Sequence, residues 1–367
     1  MSSTKLSQIG ELSLLEQIRK KFGRKSKSVL VGIGDDAAVL RPGDEYPLIT
    51  TDMMVEGVHF DLRFVTAYQL GFKLISVNVS DIYAMGGKPS FVLLNIAVSG
   101  NTTKEFFDAF FDGVSDAMKV YRILLIGGDI SSADKGMSVS ATVIGYTKKY
   151  IKRSGANVGD KIYVTGNLGD SACGLELLKK VKRPMPSEDK GSMFSGQRAI
   201  PSLSKRGNKG CLNSDIHVLN YDISHLGLSW NVIEPLLKRH LLPVARNPKQ
   251  ISGIAASMID ISDGLLIDLS RLCDESGVGA RIYEKNIPIS LELRRAAANI
   301  GLDPLELALS GGEDYELLFT VPAVKRVQAI YIGDVIESGR IIVDGEGRER
   351  FFSAEGYRHF SKKKDTV

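Results

Sequence analysis

Cysteine is scarce in this chain. There are three in 367 residues, Cys173, Cys211 and Cys273. They are far apart, odd in number and without C-x-x-C spacing, so neither a disulfide framework nor a thiolate zinc site is indicated, and a reducing compartment follows. Long apolar runs are missing too, and nothing reaches the length that spans a bilayer. The opening MSSTKLSQIGELSLLEQ lacks the basic-then-apolar pattern of a secretory leader. A cytoplasmic protein with no membrane partner is the expectation. Charge of one sign is also lacking: 47 basic against 43 acidic residues leave a net +4. That balance does not predict nucleic acid as a partner.

The standard catalytic signatures are absent as well. No G-x-x-x-x-G-K-[ST] occurs, which excludes a P-loop. There is no HExxH and no G-x-S-x-G, so zinc-protease and hydrolase templates find nothing to attach to. Residues 32–37 (GIGDDA) fit G-x-G-x-x-A, but a strand-like AAVL follows where a dinucleotide fingerprint needs a helix.

What is present is an ordinary globular composition, 43% apolar and 25% charged. The length suits two domains. Helical periodicity covers 11–22, 67–85, 103–121, 171–180, 230–240, 264–276 and 291–300. Strand-like runs fall at 91–98, 123–126, 137–146, 161–165, 255–261, 280–283, 315–321 and 330–336, besides two around 31–60. A polar, turn-rich stretch near 151–159 divides the chain into an N-terminal domain (1–150) and a C-terminal domain (151–367). Residues 183–229 read as a flexible insertion, rich in Ser, Gly, Lys, Arg and Pro. The fold class expected is α+β, a mixed α/β sandwich in two domains.

The chemistry gathers in acids beside Gly, Ser or Thr at expected element ends: Asp36, Asp52, Asp81, Asp129, Asp260 and Asp263. Asp35 adjoins the first. Asp in Gly-rich turns is ordinary turn chemistry taken singly. Six acids at six junctions point to a shared site, because ligand sites in α/β sheets gather at strand ends. Carboxylates crowded together repel unless a cation lies between them. Mg²⁺ takes one or two carboxylates plus substrate phosphates, so several such ions bridging a nucleotide also account for the missing P-loop. Asp81, in the last turn of its helix, opposes the helix dipole and asks for a partner, a lysine or a metal. Ser262 or Asp263 is equally a natural N-cap, and a helix start favours phosphate as well. Arg153 can clamp a phosphate, or be a solvated linker arginine. His59 and Glu313 suit substrate contacts, or ordinary surface positions.

Taken together, the stretches GIGDDAAVL (32–40), TTDMMVEGVHF (50–60), VNVSDIYAMGGKP (77–89), IGGDIS (126–131), RSGANVGDKIYVTGNLGDSACGLELL (153–178), IDISDGLLIDL (259–269), LSGGEDYELLFTV (309–321) and GYRHF (356–360) resemble the thiamine-monophosphate kinase family. That family is related to aminoimidazole ribonucleotide synthetases and selenophosphate synthetases. The resemblance implies ATP-dependent phosphorylation of thiamine monophosphate to thiamine diphosphate, by direct in-line transfer with several Mg²⁺ ions and no covalent nucleophile or dedicated base. It implies metal ligation by Asp36, Thr50, Thr51, Asp52, Asp81, Asp129, Asp260 and Asp263. Nucleotide contacts are implied for Gly128, Asp129, Arg153 and Ser262, and substrate contacts for His59, Glu313 and Tyr357. It also implies a homodimer joined through the N-terminal sheets. The chain departs from the family pattern in an enlarged stretch at 187–230. Competing readings are a sibling ATP-using synthetase and a non-catalytic nucleotide-binding scaffold. Selenide chemistry is disfavoured because no Cys precedes Gly32.

Overall fold

The computed structural model describes residues 17, 20–22, 26–31, 39–40, 43–180, 224–325 and 327–353. Asp35, Asp36, Cys211, Tyr357 and most of the expected insertion lie outside the described residues. The chain divides into two compact units. The first comprises Met1–Val79, Lys88–Lys148 and Lys180–Gly227, and the second Ser80–Gly87, Lys149–Lys179 and Leu228–Val367. The architecture is α+β in both, as the patterning indicates.

In the first unit, the short strands β1 (Val29–Val31) and β2 (Val39–Leu40) pair antiparallel. A four-stranded sheet follows, built from β3 (Tyr46–Val55), β4 (Lys88–Val98), β5 (Leu124–Ser132) and β6 (Ser138–Thr147) in the order β3-β6-β4-β5. Two helices belong with it, α1 (Ala67–Ala84), of which the part through Val79 lies in this unit, and α2 (Lys104–Tyr121). The second helix carries its own punctuation. Thr103 caps it by accepting from the Phe106 N–H, Glu105 opens it, Lys119 lies in its last turn, and Arg122 closes it in the left-handed region. Phe107, Phe110, Val114 and Met118 face the core. The two helices meet at paired glycines. A Cβ on Gly71 would lie 2.1 Å from the Phe110 carbonyl oxygen, and one on Gly113 would lie 1.9 Å from that of Tyr68.

The sequence reading ended the strand after 126 at Gly127-Gly128-Asp129. Instead β5 runs through them to Ser132. Glycine inside a strand marks close backbone approach, and a Cβ on Gly128 would lie 1.8 Å from the Leu94 carbonyl oxygen of β4. Asp129 therefore sits within a strand, not at its end. Asp52 likewise lies inside β3.

The second unit is built on a seven-stranded sheet. Its strands are β7 (Lys161–Val164), β8 (Ser257–Asp260), β9 (Gly279–Tyr283), β10 (Leu317–Val321), β11 (Ile330–Ile336), β12 (Arg340–Val343) and β13 (Glu349–Phe351). Their order is β13-β12-β9-β11-β7-β10-β8, antiparallel except for β12 against β9. The helices are α3 (Asp170–Lys180), α4 (Trp230–Leu241), α5 (Leu265–Ser276), α6 (Leu291–Ile300) and α7 (Pro304–Ser310). Leu265, Leu269 and Leu272 of α5 pack with Ile162, Val164, Ile259, Leu318 and Ile332 of the sheet in one fully buried cluster. Each large side chain so buried contributes about 1.5–3 kcal/mol. That cluster holds β8 and the start of α5 in place, and with them the loop carrying Asp260, Ser262 and Asp263.

Candidate functional site

In the first unit the Thr50-Thr51-Asp52 run lies on the edge strand β3. The Asp52 N–H donates to Asn78 Oδ1 at 2.9 Å, and Asn78 Nδ2 donates to the Leu74 carbonyl at 2.9 Å. A buried asparagine of α1 thus pins the backbone of Asp52. Thr51 Oγ1 accepts from Thr142 Oγ1 and donates to the Ala141 carbonyl. His59 closes the turn after β3: its Nδ1 accepts from the Val55 N–H at 3.1 Å, which puts the proton of the neutral ring on Nε2.

Strand register separates Asp52 from Asp129. Asp52 is level with Ala141 and, through it, with Leu94, in a row where both neighbours are buried. Asp129 is level with Asn95, Ser140 and Met53, the next row, which faces the other side. The two acids are on opposite edge strands, three strand spacings or about 14 Å apart. One sheet does not bring them together.

The second unit does assemble its candidates. Asp260 ends β8 and is buried, and Ser80 Oγ donates to its Oδ2 at 2.7 Å. Burial pushes the Asp260 carboxyl up, and the neighbouring Asp81 charge pushes it further, against the pull of Ser80 and Arg153. Arg153 sits in a loop tied to the end of α5. Ser276 Oγ donates to the Arg153 carbonyl and accepts from the N–H groups of Gly155 and Ala156, each at 3.2 Å.

Glu313 comes to the same place by backbone bonds. Its N–H donates to the Ser262 carbonyl at 2.7 Å, and the Tyr315 N–H donates to that of Ile261 at 2.9 Å. Glu313 and Tyr315 both take positive φ, 65° and 50°. Non-glycine residues are held there only when the surroundings over-determine them. Glu313 Oε2 and Ser171 Oγ each lie 3.1 Å from Nδ1 of the buried His240.

The expected side-chain cap at Ser262 or Asp263 is replaced from within the helix. Gly264 is the cap residue, with no side-chain bond. Asp268, one turn in, turns back to accept from the N–H groups of Ser262, Asp263 and Gly264 at 3.1, 3.1 and 3.2 Å. Those N–H groups are therefore occupied by a carboxylate of the chain itself.

Sequence reasoning missed several supporting residues: Ser80, Asp268, Arg271, and a buried ionic group around Glu316. That carboxylate is fully buried and accepts from Arg239, from Arg246 Nε at 2.7 Å and from Thr165 Oγ1 at 2.5 Å. Burial alone would raise its pKa, but the two guanidiniums outweigh it and hold the carboxyl below its ordinary value. Beside it, burial pushes Asp314 up to about 7 against the pull of Arg239 and the N–H groups of Gly169 and Ser171. A signal did exist for two of these. Asp268 interrupts the apolar face of α5, and Glu316 immediately precedes the mostly apolar strand β10.

The Asp81–Asp260 pair is the described feature that fits a hard dication, since each carboxylate disfavours the other's charge. Among the described residues no three Asp, Glu, His or Cys side chains are grouped to hold an ion by themselves.

Residues 34–147 match the N-terminal domain of AIR synthase related proteins, and 212–345 match the C-terminal domain. The chain is 34% identical to a thiamine-monophosphate kinase of Aquifex aeolicus (strain VF5), over 97% of this chain and 100% of that protein. The chain belongs to the thiamine-monophosphate kinase family. It is by that membership an enzyme, a phosphotransferase. A second relative in the family, from Bacillus subtilis (strain 168), is 33% identical over 95% of this chain and 99% of its own length. Among solved structures, "AaThiL complexed with AMPPCP and TMP" superposes with a TM-score of 0.69 at 32% identity, covering 98% of this chain and 100% of that one. The hydrogenase maturation protein HypE in complex with ATP reaches 0.64 at 15% identity over 95% of this chain and 97% of its own, a likeness of fold alone.

Proposed function

We propose that this chain transfers the γ-phosphoryl group of ATP to thiamine monophosphate, giving thiamine diphosphate by direct in-line displacement. The observation that carries the reading is the Asp81–Asp260 carboxylate pair beside Arg153, in a chain whose family members carry that activity in their names. Phosphoryl transfer asks for alignment and charge neutralisation more than for covalent chemistry. The acceptor phosphate is already ionised near neutral pH, so no strong base is required. The described thiols support the absence of a covalent nucleophile: burial pushes Cys173 up to about 12 and Cys273 up to about 11.

Several Mg²⁺ ions, when bound, would neutralise phosphate charge and orient the reacting oxygens. The residues that would hold them are Asp36, Thr50, Thr51, Asp52, Asp81, Asp129, Asp260 and Asp263, with Asp52 and Asp129, on opposite faces of the first sheet, serving different ions. Gly128, Asp129, Arg153 and Ser262 face the nucleotide in this reading. Glu313, His59 and Tyr357 would contact the thiamine end, where a carboxylate and an aromatic ring suit a cationic thiazolium. The N-terminal domain (1–150) binds ATP and dimerises, and the C-terminal domain (151–367) completes the site. A homodimer through the first sheet is supported by its edge strand, which exposes Tyr46, Ile49 and Met53. A cytoplasmic setting is supported by the two described cysteines, both free and buried, as a reducing compartment would leave them.

The test is product formation from ATP, Mg²⁺ and thiamine monophosphate, with free thiamine in parallel. Thiamine diphosphate from the monophosphate alone is the expected result. ATP binding in a Mg²⁺-dependent way with no product would instead indicate a sibling synthetase or a regulatory relative, and the roles of His59, Glu313 and Tyr357 would fall first.

A further inference from the structure

We propose that Asp268 is a positioning residue for the loop that carries Asp260, Ser262 and Asp263, acting as a built-in anion that sets the loop before any ligand arrives. The proposal rests on the phosphotransferase reading. Asp268 is fully buried on α5. Its Oδ2 gathers the N–H groups of Ser262, Asp263 and Gly264, three consecutive donors within 3.1–3.2 Å. Its Oδ1 accepts from Arg271 Nη1 at 2.7 Å, and the same nitrogen donates to Asp263 Oδ2 at 2.6 Å. One carboxylate therefore fixes the backbone of the loop and, through Arg271, the rotamer of Asp263.

Two consequences separate this from an ordinary buried hydrogen bond. The start of α5 cannot offer those three N–H groups to a phosphate, because they are already taken, so the loop must act through its side chains and bound ions. Asp263 is held by a guanidinium through one oxygen, so the direction in which its carboxylate can ligate is set by the Asp268–Arg271 pair. There is little slack for the loop to settle elsewhere. Gly264 has φ 126°, and a Cβ there would lie 2.8 Å from the Ser310 carbonyl oxygen. The Ser262 carbonyl is engaged by the Glu313 N–H.

The decisive variant is Asp268→Asn, isosteric and neutral. Its one carbonyl oxygen can serve the three N–H groups, but its amide then turns N–H toward Arg271, and the tie to Asp263 is lost. Residues that orient metal ligands typically cost about 10–100-fold in metal affinity when removed. The probe is Mn²⁺, titrated into the full chain with a non-hydrolysable ATP analogue and read by electron paramagnetic resonance. We expect Asp268→Asn to weaken Mn²⁺ binding about tenfold or more, while KM for thiamine monophosphate moves less than about twofold. Arg271→Gln keeps the charged carboxylate on the three N–H groups, where Asn offers only a weaker neutral acceptor, and loses only the tie, so its loss is smaller but measurable. Asp170→Asn, at a half-buried acid of the same unit bonded to Ser290, controls for general loosening and keeps wild-type Mn²⁺ affinity.

A folded Asp268→Asn that binds Mn²⁺ like wild type overturns the proposal. So does an equal loss in Asp170→Asn. If the Asn variant does not fold, Arg271→Gln decides: unchanged Mn²⁺ binding there overturns it too. Failure of the underlying activity reads differently, as Mn²⁺ binding in the wild-type chain without any thiamine diphosphate.

Discussion

Replacing Glu316 by Gln isolates the ionic group at the centre of the second unit. The carboxylate has no solvent access and neutralises two guanidiniums, with Thr165 as a third donor. Arg239 is itself largely buried, at 15% exposure, whereas Arg246 is 46% exposed. Removing one partner of a buried pair costs roughly 3–5 kcal/mol, because the other charge is left uncompensated. Most of that falls on Arg239, since water screens Arg246 and reduces its share to about 1 kcal/mol or less. Gln adds a second fault by presenting an N–H₂ group to a guanidinium. The chain has one tryptophan, Trp230, at the start of α4 in this unit. Its fluorescence therefore reports urea unfolding of this unit. The expected outcome is a midpoint lowered by the equivalent of roughly 3–5 kcal/mol. The double variant Glu316→Leu with Arg239→Leu should lose less than Glu316→Leu alone, because a pair removed together leaves no stranded charge. A loss below about 1 kcal/mol in Glu316→Gln, or strict additivity in the double variant, would refute the reasoning.

Asp81→Ala and Asp129→Ala should abolish turnover while the circular dichroism spectrum stays native, and near-normal turnover with intact Mg²⁺ dependence would sink the assigned roles. Gly113→Ala puts a methyl group onto the Tyr68 carbonyl and should destabilise the first unit by about 1–3 kcal/mol, read as a lower urea midpoint in far-UV circular dichroism. Asp314, pushed up to about 7 in the fold from 3.8, favours its protonated form. Stability of the second unit should thus fall as pH rises from about 4 to about 7 and level off above, and Asp314→Asn should flatten that dependence of the Trp230 midpoint. Glu316 works in the opposite sense, stabilising above the ordinary carboxylate range and losing that effect as pH falls through its depressed folded value. In a Cys211→Ser chain, the two remaining thiols should resist alkylation at pH 8 until urea exposes them, because burial raises both.

Elements with strong local punctuation were legible in the sequence. Helix α2 announced itself through Thr103 and its apolar stripe, and β11 fell at 330–336 as its apolar run predicts. Helix α7 was passed over although Asp303 caps it and Pro304 begins it, because seven residues are too few for periodicity to speak. The two glycines before Asp129 were read as a terminator when they mark a close strand contact, a distinction that depends on which backbone lies opposite. The acids of the candidate site were visible as a set because turn-flanked carboxylates stand out singly. Their supports were not, since Ser80 reaches Asp260 across 180 positions and Thr165 reaches Glu316 across 151. Only the folded chain makes those neighbours.

The strand order of the two sheets also dictates how this protein must leave the ribosome. The first sheet is complete once β6 ends at Thr147. The second is not, because β7 lies between β11 and β10, which are synthesised last but for two short strands. At synthesis rates of about 5–20 residues per second, β7 and the apolar face of α3 wait roughly ten to forty seconds for their partners. The nascent chain therefore carries a folded sheet followed by strands that still lack their partners, a load suited to chaperone capture. A message truncated before Leu317 would yield the first sheet and nothing stable after it.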